Sequence, residues 1–299
     1  MAEFLFFGRS PPIWLLISGT SMHKKAALIT GGSSGIGFEM SKYFARDGYH
    51  ILWVSLVADE LEQAKAKLEG LVSGVKIDTL NLDLANAQSP QKTYDWCKGN
   101  NWVVDVLINN AGFAEYGFAN QTDVGKEVAM IELNVMAVFK LTKLFLQDMV
   151  ARDAGTIINI SSNTSFQPVP KLATYAATKA FVSHFSQSLQ EEMRMQEKKV
   201  RVMTVCPAAI ANTNFKSAAN MHRVKTFDGL ATTTAEEVAK DVWYGFKNGK
   251  TFVVSGARMR VLYALRNWVP YRLQQFMVRQ ELKESGSLGI QGVDPRCRG

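Results

Sequence analysis

Short apolar segments alternate with longer amphipathic segments along most of this chain. Seven of the apolar segments have the length and composition of buried strands, and they span residues 26–30, 50–54, 76–81, 104–108, 156–160, 201–205 and 251–254. The segments between them have the spacing of helices. Because strands that alternate with helices are typical of a parallel sheet covered on both sides, the pattern predicts a doubly wound, three-layer α/β fold with seven parallel strands.

A glycine-rich turn follows the first predicted strand directly. Its sequence is Gly31-Gly32-Ser33-Ser34-Gly35-Ile36-Gly37, and a helical pattern comes next. Glycines permit a tight turn and a close approach of the backbone to a pyrophosphate, while the start of a helix offers free N–H groups. The alternative is a glycine-rich turn without a ligand. Strand, glycines and helix in this order favour a dinucleotide site and a Rossmann-like fold, although the spacing G-x-x-x-G-x-G departs from the commonest fingerprint.

A second motif lies later in the chain, where Tyr175 and Lys179 are four residues apart and Ser162 is thirteen residues upstream of the tyrosine. On a helix, positions i and i+4 share one face, so the Lys179 ammonium can favour the phenolate of Tyr175. A free tyrosine titrates near ~10, too high for acid–base work at neutral pH without such a neighbour. A serine hydroxyl alongside can hold a carbonyl or alcohol oxygen. The pair alone is common on helices, but together with the glycine-rich turn it predicts a proton-transfer site.

With these motifs the chain resembles the short-chain dehydrogenases/reductases, and the resemblance extends from about Lys24 to Ala257. The turn Thr30-Gly31-x-x-x-Gly35-Ile36-Gly37 is similar to the cofactor loop of that family, Asp83-Leu84 to its adenine contact, and Asn109-Asn110-Ala111-Gly112 to its central-sheet motif. The cofactor-binding residues that the resemblance implies are Gly31, Ser33, Ser34, Gly35, Ile36, Gly37, Ser55, Asp83, Leu84, Asn110, Ala111, Gly112, Tyr175, Lys179, Pro207 and Thr213.

The family's catalytic tetrad falls in order on Asn134, Ser162, Tyr175 and Lys179. The resemblance implies that Tyr175 is the acid/base and that Lys179 is both its electrostatic partner and a ligand of the nicotinamide ribose. Ser162 would bind the reacting oxygen, and Asn134 would hold a water that relays protons past Lys179. The implied reaction is hydride transfer between a nicotinamide and a carbonyl or alcohol. A dinucleotide-binding regulator without turnover is the alternative, because a complete tetrad gives the capacity for chemistry and not its use.

Two departures from the family pattern affect the nicotinamide end of this site. The family usually has Pro-Gly after its sixth strand, whereas Pro207 is followed here by two alanines, so a different backbone course is expected there. The threonine that contacts the nicotinamide carboxamide is expected five residues after the proline. That position is Asn212, and the role is assigned to Thr213 one residue later.

The choice between the two nicotinamide cofactors depends on the end of the second strand. An acidic residue there accepts hydrogen bonds from the ribose of NAD, and an arginine meets the 2′-phosphate of NADP. This chain has Ser55 at the acidic position and Leu56 at the arginine position. Since no carboxylate repels a phosphate and Ser55 can donate to one, NADP(H) is favoured over NAD(H).

The substrate is expected to be an apolar ketone or alcohol. The predicted walls of its site are residues 113–116, 163–170 and 214–230, in which apolar and aromatic side chains dominate. The chain looks most like the reductases related to 3-oxoacyl and 17β-hydroxysteroid enzymes, which implies a 3-oxoacyl or similar lipid-like carbonyl. The family is often dimeric or tetrameric, so a homo-oligomer is expected by analogy.

Composition and residue spacing argue against metal binding and nucleic-acid binding. The three cysteines form no C-x-x-C pair and the four histidines lack ligand spacing, so no metal site is predicted, and this cysteine usage suits a reducing cytoplasm. The formal net charge of +7 suggests nucleic-acid binding as an alternative, but no nucleic-acid motif accompanies it and no such partner is expected.

The sequence also predicts the division of the chain. Residues 1–21 are interpreted as a non-native or flexible extension, 22–257 as a single catalytic domain, and 285–299 as a disordered or tag-like tail.

Residues 258–284 form a basic amphipathic segment. From Gly256 to Lys283 the charges are +6 − 1 = +5, most of the formal +7, and the intervening positions are rich in aliphatic and aromatic residues with a break at Pro270. The pattern predicts two short helices. One interpretation is a lid over a hydrophobic substrate or a peripheral contact of 258–283 with an anionic membrane surface. The other is packing on the same domain or on a second subunit.

Overall fold

The structure is a computed structural model, and it describes residues 25–210 and 232–282. Its strands are β1 Ala26–Thr30, β2 His50–Ser55, β3 Ile77–Asn81, β4 Val104–Asn109, β5 Thr156–Ile160, β6 Arg201–Cys206, β7 Ala209–Ile210, β8 Thr232–Thr233 and β9 Phe252–Val254. Seven of them form one sheet in the order β3-β2-β1-β4-β5-β6-β9, and every neighbouring pair in it is parallel. The predicted Rossmann-like, doubly wound, seven-stranded sheet is confirmed.

Helices cover both faces of this sheet. They are α1 Gly35–Arg46, α2 Ala58–Leu71, α3 Ser89–Gly99, α4 Val124–Ile131, α5 Val138–Ala151, α6 Ala173–Met195, α7 Ala235–Lys247, α8 Ala257–Leu265 and α9 Tyr271–Glu281. A π-helical turn, Glu132–Ala137, joins α4 to α5, and short 3₁₀ turns span Asn163–Phe166 and Arg266–Trp268. The predictions for residues 1–21, 285–299, 214–230 and Thr213 concern positions outside the described residues.

The strands are apolar on both faces because each face is packed against helices. Along β1, Ile29 belongs to the core shared with α1, α2 and α7, whereas its neighbour Leu28 belongs to the core shared with α3, α5 and α6. Both side chains are fully buried. This two-sided burial gives the continuous apolar strands seen in the sequence.

The strand order reverses between β1 and β4, and side chains tie the carboxyl ends of these two strands together. The hydroxyl of Thr30 accepts hydrogen bonds from the backbone N–H groups of Asn110 at 2.9 Å and Ala111 at 3.0 Å. In open α/β sheets, ligands bind at such a switch point, beyond the carboxyl ends of the strands. The fold therefore places its ligand crevice beside the glycine-rich turn.

Candidate active site

The glycine-rich turn has backbone conformations and contacts that suit glycine. Gly31 and Gly35 have φ angles of 63° and 53°, in the left-handed region. A Cβ atom on Gly37 would lie 2.1 Å from the carbonyl oxygen of Gly31, so the first turn of α1 packs directly on the turn backbone. Ser34 is the N-cap of α1, and its side chain caps none of the first N–H groups of that helix. These donors are therefore available to an anion.

Asn110, the residue after β4, supports this turn. Its side-chain amide donates to the carbonyl oxygens of Thr30 at 3.0 Å and Gly31 at 3.1 Å. The following residues, Ala111 and Gly112, line the cavity described below. The two sequence motifs thus form one structural unit at the switch point.

The end of β2 carries hydroxyl groups and no charge at the positions that bear on cofactor choice. The hydroxyls of Ser33 and Ser55 lie 2.9 Å apart, and Leu56 is exposed. In the loop after β3, the carboxylate of Asp83 accepts a hydrogen bond from the backbone N–H of Ala85 at 2.9 Å. Ser55, Leu56 and Asp83 all line the cavity.

Tyr175 and Ser162 come together from α6 and from the end of β5. Both side chains are buried, and burial raises the pKa of Tyr175 to about 12, with a partly offsetting hydrogen bond from Ser162. A lowered pKa was expected from Lys179. The structure gives the opposite direction because desolvation penalises the phenolate and the Lys179 amine lies 5.8 Å from the centre of the tyrosine ring.

The Lys179 amine instead donates to the carbonyl oxygen of Ile160 at 3.0 Å. Burial lowers the pKa of Lys179 to about 8, and the nearby Cys206 thiol opposes this effect. The hydroxyl of Ser161 donates to the Lys179 backbone carbonyl at 2.7 Å and fixes this turn of α6 against β5. The Lys179 amine is therefore fixed by a hydrogen bond, and burial brings its pKa closer to neutrality.

Asn134 occupies the π-helical turn between α4 and α5. Single π turns inside α-helices occur frequently at functional sites. Its amide nitrogen donates to the carbonyl oxygen of Phe113 at 2.9 Å and to the hydroxyl of Thr178 at 3.2 Å. A Cβ atom on Gly112 would lie 2.8 Å from the Asn134 oxygen and 3.4 Å from the Lys179 amine, so a glycine is needed between them. Asn134 is thereby tied to α6, which carries Tyr175 and Lys179.

One cavity of about 410 Å³ extends from the glycine-rich turn to the tetrad. The predicted site residues that line it are Gly31, Ser34, Gly35, Ile36, Ser55, Asp83, Leu84, Asn110, Ala111, Gly112, Ser162, Tyr175, Lys179 and Pro207. Ser33, Gly37 and Asn134 lie behind this lining and contact residues of it. The dinucleotide motif and the proton-transfer motif therefore face one space.

The apolar end of the cavity contains residues that the sequence did not single out. Val169 and Leu172, which precede α6, line the cavity together with Val278 of α9 and Leu282, the C-cap residue of α9. They form one buried cluster with Tyr175. The amphipathic pattern of the C-terminal segment indicated a lid as one option, but gave no signal that Val278 and Leu282 face the tetrad.

Part of the predicted substrate wall is wrong. Residues 113–116 do not line the cavity. Ala114 packs into the cluster around Tyr175, and the Tyr116 hydroxyl donates to the carbonyl oxygen of Leu282 at 3.3 Å. Phe166 turns away and packs on Tyr263 at a centroid distance of 4.5 Å. These side chains hold the C-terminal helices in place, which a sequence pattern does not reveal.

The loop after β6 continues into a short two-stranded pairing. Ala208 is buried, and the next residues form β7, which pairs with β8. The Pro207 carbonyl accepts a hydrogen bond from the backbone N–H of Asn163 at 2.9 Å, which links this loop to the one after β5. Pro207, one of the predicted cofactor-binding residues, lines the cavity.

Among residues 25–210 and 232–282, no cluster of three histidine, cysteine or acidic side chains could hold a metal ion. In the same part of the chain, no helix has the length and apolar composition to cross a bilayer.

The fold and the cavity define a dinucleotide-linked oxidoreductase. The family model of the short chain dehydrogenases matches residues 25–223, and the chain belongs to this family. It is 35% identical over 190 residues to the very-long-chain 3-oxoacyl-CoA reductase of Homo sapiens, and the match covers 62% of this chain and 59% of the relative. The match to the Mycosarcoma maydis protein of that name is 31% over 220 residues, 72% of this chain and 59% of the relative. The chain thus spans less than two thirds of these relatives.

Two further proteins resemble the chain over more of their length. A probable NADP-dependent dehydrogenase of Haemophilus influenzae is 29% identical over 227 residues, 74% of this chain and 87% of that protein. The solved structure of a short-chain dehydrogenase from Sphingobium yanoikuyae in complex with NADPH has a TM-score of 0.72 and 26% identity, and the match covers 88% of this chain and 99% of the other.

Proposed function

We propose that this protein uses NADP(H) to reduce an apolar ketone, such as a 3-oxoacyl or related lipid-like carbonyl, with Tyr175 as the acid. The observation that carries the proposal is the single cavity, which brings the glycine-rich turn and the Ser162–Tyr175 pair to one space. The coenzyme supplies the hydride when bound. The protein's residues orient the two reactants, exclude water and provide the proton.

The residues at the dinucleotide end suit such a coenzyme. The Gly37 contact with Gly31 leaves no side chain between α1 and the turn, and uncapped N–H groups at the start of α1 suit a pyrophosphate. The hydroxyls of Ser33 and Ser55 suit a 2′-phosphate, with no carboxylate at the end of β2 to repel it. The NADPH complex of the Sphingobium protein and the name of the Haemophilus protein agree with this preference.

At the tetrad, the Ser162 hydroxyl would hold the substrate oxygen and Tyr175 would protonate it. A tyrosine pKa raised to about 12 keeps the phenol protonated at neutral pH, as an acid requires. Lys179 would hold the nicotinamide ribose and, as a cation, lower the cost of the developing phenolate. Asn134 would fix the loop after β4 beside it and hold the water that relays protons to Lys179.

The substrate class follows from the apolar end of the cavity. Val169, Leu172, Val278 and Leu282 surround Tyr175 and offer no charge or hydrogen-bonding side chain to a sugar. The names of the human and fungal relatives agree with a long-chain 3-oxoacyl substrate.

We further propose a cytoplasmic, membrane-associated homo-oligomer, with residues 258–283 as the membrane-contacting segment. The alternative is a dinucleotide sensor without turnover.

The test is a fluorescence titration with NADPH and NADH, followed by turnover on ketones from short oxo-esters to long-chain and steroid ketones. Tyr175→Phe should keep coenzyme affinity and lose turnover by about 10²-fold or more, since only the acidic hydrogen is removed. Tyr94→Phe is the matched control, because its hydroxyl bonds Asp148, neither residue lines the cavity, and the change should not matter to turnover. Coenzyme binding without turnover on any ketone or alcohol would favour the sensor.

A further inference from the structure

The C-terminal helix α9 has an inner face that belongs to the reaction cavity. Val278 and Leu282 are buried and line the cavity, and the Gln275 side chain donates to the carbonyl oxygen of Pro168 at 3.2 Å. With the Tyr116 bond to the Leu282 carbonyl, these contacts fix α9 as one wall of the site. A helix with its side chains is about 10 Å thick, so the cavity lies within about one helix diameter of whatever covers the other face of α9.

The outer face of α9 is apolar and exposed. Phe276 and Met277 lie three and four residues after Leu273, which places them on one side of the helix, and all three are exposed. Arg272 and Arg279 are exposed beside this stripe, and neither guanidinium has a hydrogen bond or ion pair within the described residues. Apolar side chains flanked by arginines are typical of a helix that lies in the plane of a lipid surface.

Exposed apolar and aromatic side chains also occur on the preceding turn and on α8. Trp268 is 85% exposed at the turn, and Tyr271 is exposed at the start of α9. The exposed aliphatic residues of α8 are Val261, Leu262 and Leu265. Tryptophan and tyrosine are enriched at membrane interfaces, where an apolar ring and a polar edge are both satisfied.

Charge distinguishes a lipid surface from a second copy of the chain. Residues 257–282 contain five arginines and one glutamate, a formal charge of 5 − 1 = +4. A two-fold interface would place this patch against itself and bring like charges together. An anionic bilayer instead attracts each arginine near its surface.

We propose that the outer face of α8 and α9, formed by Val261, Leu262, Leu265, Trp268, Tyr271, Arg272, Leu273, Phe276, Met277 and Arg279, docks on an anionic lipid bilayer. The docked protein takes its apolar carbonyl substrate from that bilayer, beside the α9 wall. Both statements deepen the proposed function, which assigns a membrane contact to residues 258–283, but docking can be measured without turnover.

The first measurement is flotation of the full-length protein with vesicles of phosphatidylcholine alone and of phosphatidylcholine with phosphatidylserine. Wild type should bind the anionic vesicles and be released by salt. Arg272→Gln with Arg279→Gln should weaken binding about thirtyfold, as expected for two arginines near a charged surface. Leu273→Ser with Phe276→Ser should weaken it about tenfold or more. The matched controls are Lys92→Gln and Met195→Ser, exposed changes elsewhere that should bind as wild type.

Tryptophan emission gives a local readout of the same docking. Lipids with brominated acyl chains should quench the emission of wild type, and Trp268→Phe should lose most of that quenching, because Trp268 is the tryptophan on the docking face while Trp53 is buried in the core. Unchanged quenching in Trp268→Phe would place the contact on another surface and overturn the proposal.

Turnover then tests the route of the substrate. The Leu273→Ser/Phe276→Ser variant should keep the wild-type rate on a short ketone dissolved in water and lose about tenfold on a long-chain ketone carried in anionic vesicles. Equal rates on the vesicle-borne ketone would contradict substrate uptake from the bilayer.

Two outcomes would overturn the docking face. One is failure of wild type to float, and the other is dissociation of an oligomer by these variants as measured by sedimentation. Vesicle binding without turnover on any carbonyl would support the docking face and refute the proposed function.

Discussion

The side chain of Asn134 exchanges two hydrogen bonds with the backbone of Phe113, donating to its carbonyl oxygen at 2.9 Å and accepting from its N–H group at 3.2 Å. The same amide donates to Thr178 on α6. Asn134 therefore joins the π turn, the loop after β4 and the helix that carries the proposed acid. It would act in the reaction partly by fixing these elements relative to one another.

We expect Asn134→Ala to lower both stability and turnover. The substitution leaves buried backbone and hydroxyl groups without their partner, which costs about 1–3 kcal/mol in free energy of unfolding. Urea denaturation measures this loss, and Asn100→Ala is the control, because Asn100 is exposed and its amide bonds a helix carbonyl. Wild-type stability in Asn134→Ala would show that the Phe113 bonds contribute nothing to the fold.

Because Gly37 packs closely on Gly31, we expect alanine at Gly37 to destabilise the fold, whereas alanine at Gly70 should stabilise it. Gly37→Ala would drive a methyl group into the Gly31 carbonyl, a backbone atom that cannot move cheaply, and should destabilise the fold by about 3 kcal/mol. Gly70→Ala, inside α2 with nothing within 4 Å of the new methyl, should stabilise it by about 0.5–1 kcal/mol. Thermal unfolding of the two variants checks both signs. A stable Gly37→Ala protein that still binds NADPH would contradict the close packing of α1 on the turn.

Much of the architecture could be predicted from the sequence because it depends on local patterns. The strands are buried on both faces, which makes them continuous apolar runs, and glycines mark the turn after β1. The strand bounds differ by at most one or two residues: β2 and β4 each extend one residue beyond the predicted segments, through Ser55 and Asn109, because these residues still pair with the neighbouring strand.

Other features depend on contacts between distant segments and could not be predicted. An amphipathic pattern in α9 shows that one face is apolar, but not that Val278 joins one buried cluster with Tyr175, about a hundred residues earlier in the chain. The pKa of Tyr175 was expected to fall because the sequence shows Lys179 four residues away. It rises because burial, which depends on the whole fold, dominates the shift, and because the Lys179 amine lies 5.8 Å from the centre of the tyrosine ring.

The lowered pKa of Lys179 predicts a pH-dependent contribution to stability. Between its folded pKa of about 8 and its ordinary value of 10.5, the unfolded chain binds this proton and the folded chain does not. The free energy of unfolding contributed by Lys179 therefore rises with pH through this window, by about 1 kcal/mol per pH unit. Below about pH 8 the buried charge persists in the folded state and this gain is absent.

Comparison with Lys179→Met isolates that contribution from the other titrating groups. The difference in unfolding free energy, wild type minus variant, should increase between pH 8 and pH 10 in urea titrations. A difference that stays constant across this range would mean that the pKa of Lys179 is unshifted by burial. Lys140→Met serves as a control, because the Lys140 amine is on the exposed side of α5 and bonds the carbonyl oxygen of Ala87.

The hydroxyl pair formed by Ser33 and Ser55 leads to a prediction for coenzyme preference. The Ser55 hydroxyl lies 2.9 Å from the Ser33 hydroxyl. Ser55→Asp would put a carboxylate at this end of β2, where it repels a 2′-phosphate and accepts from a ribose hydroxyl. We expect the Kd for NADPH to rise about tenfold or more and the Kd for NADH to fall. Ser55→Asn, which has the same shape without the charge, should weaken NADPH much less, and fluorescence titration of both variants separates charge from size. Equal losses in the two variants would mean that steric fit at Ser55, and not electrostatic repulsion, determines which coenzyme binds.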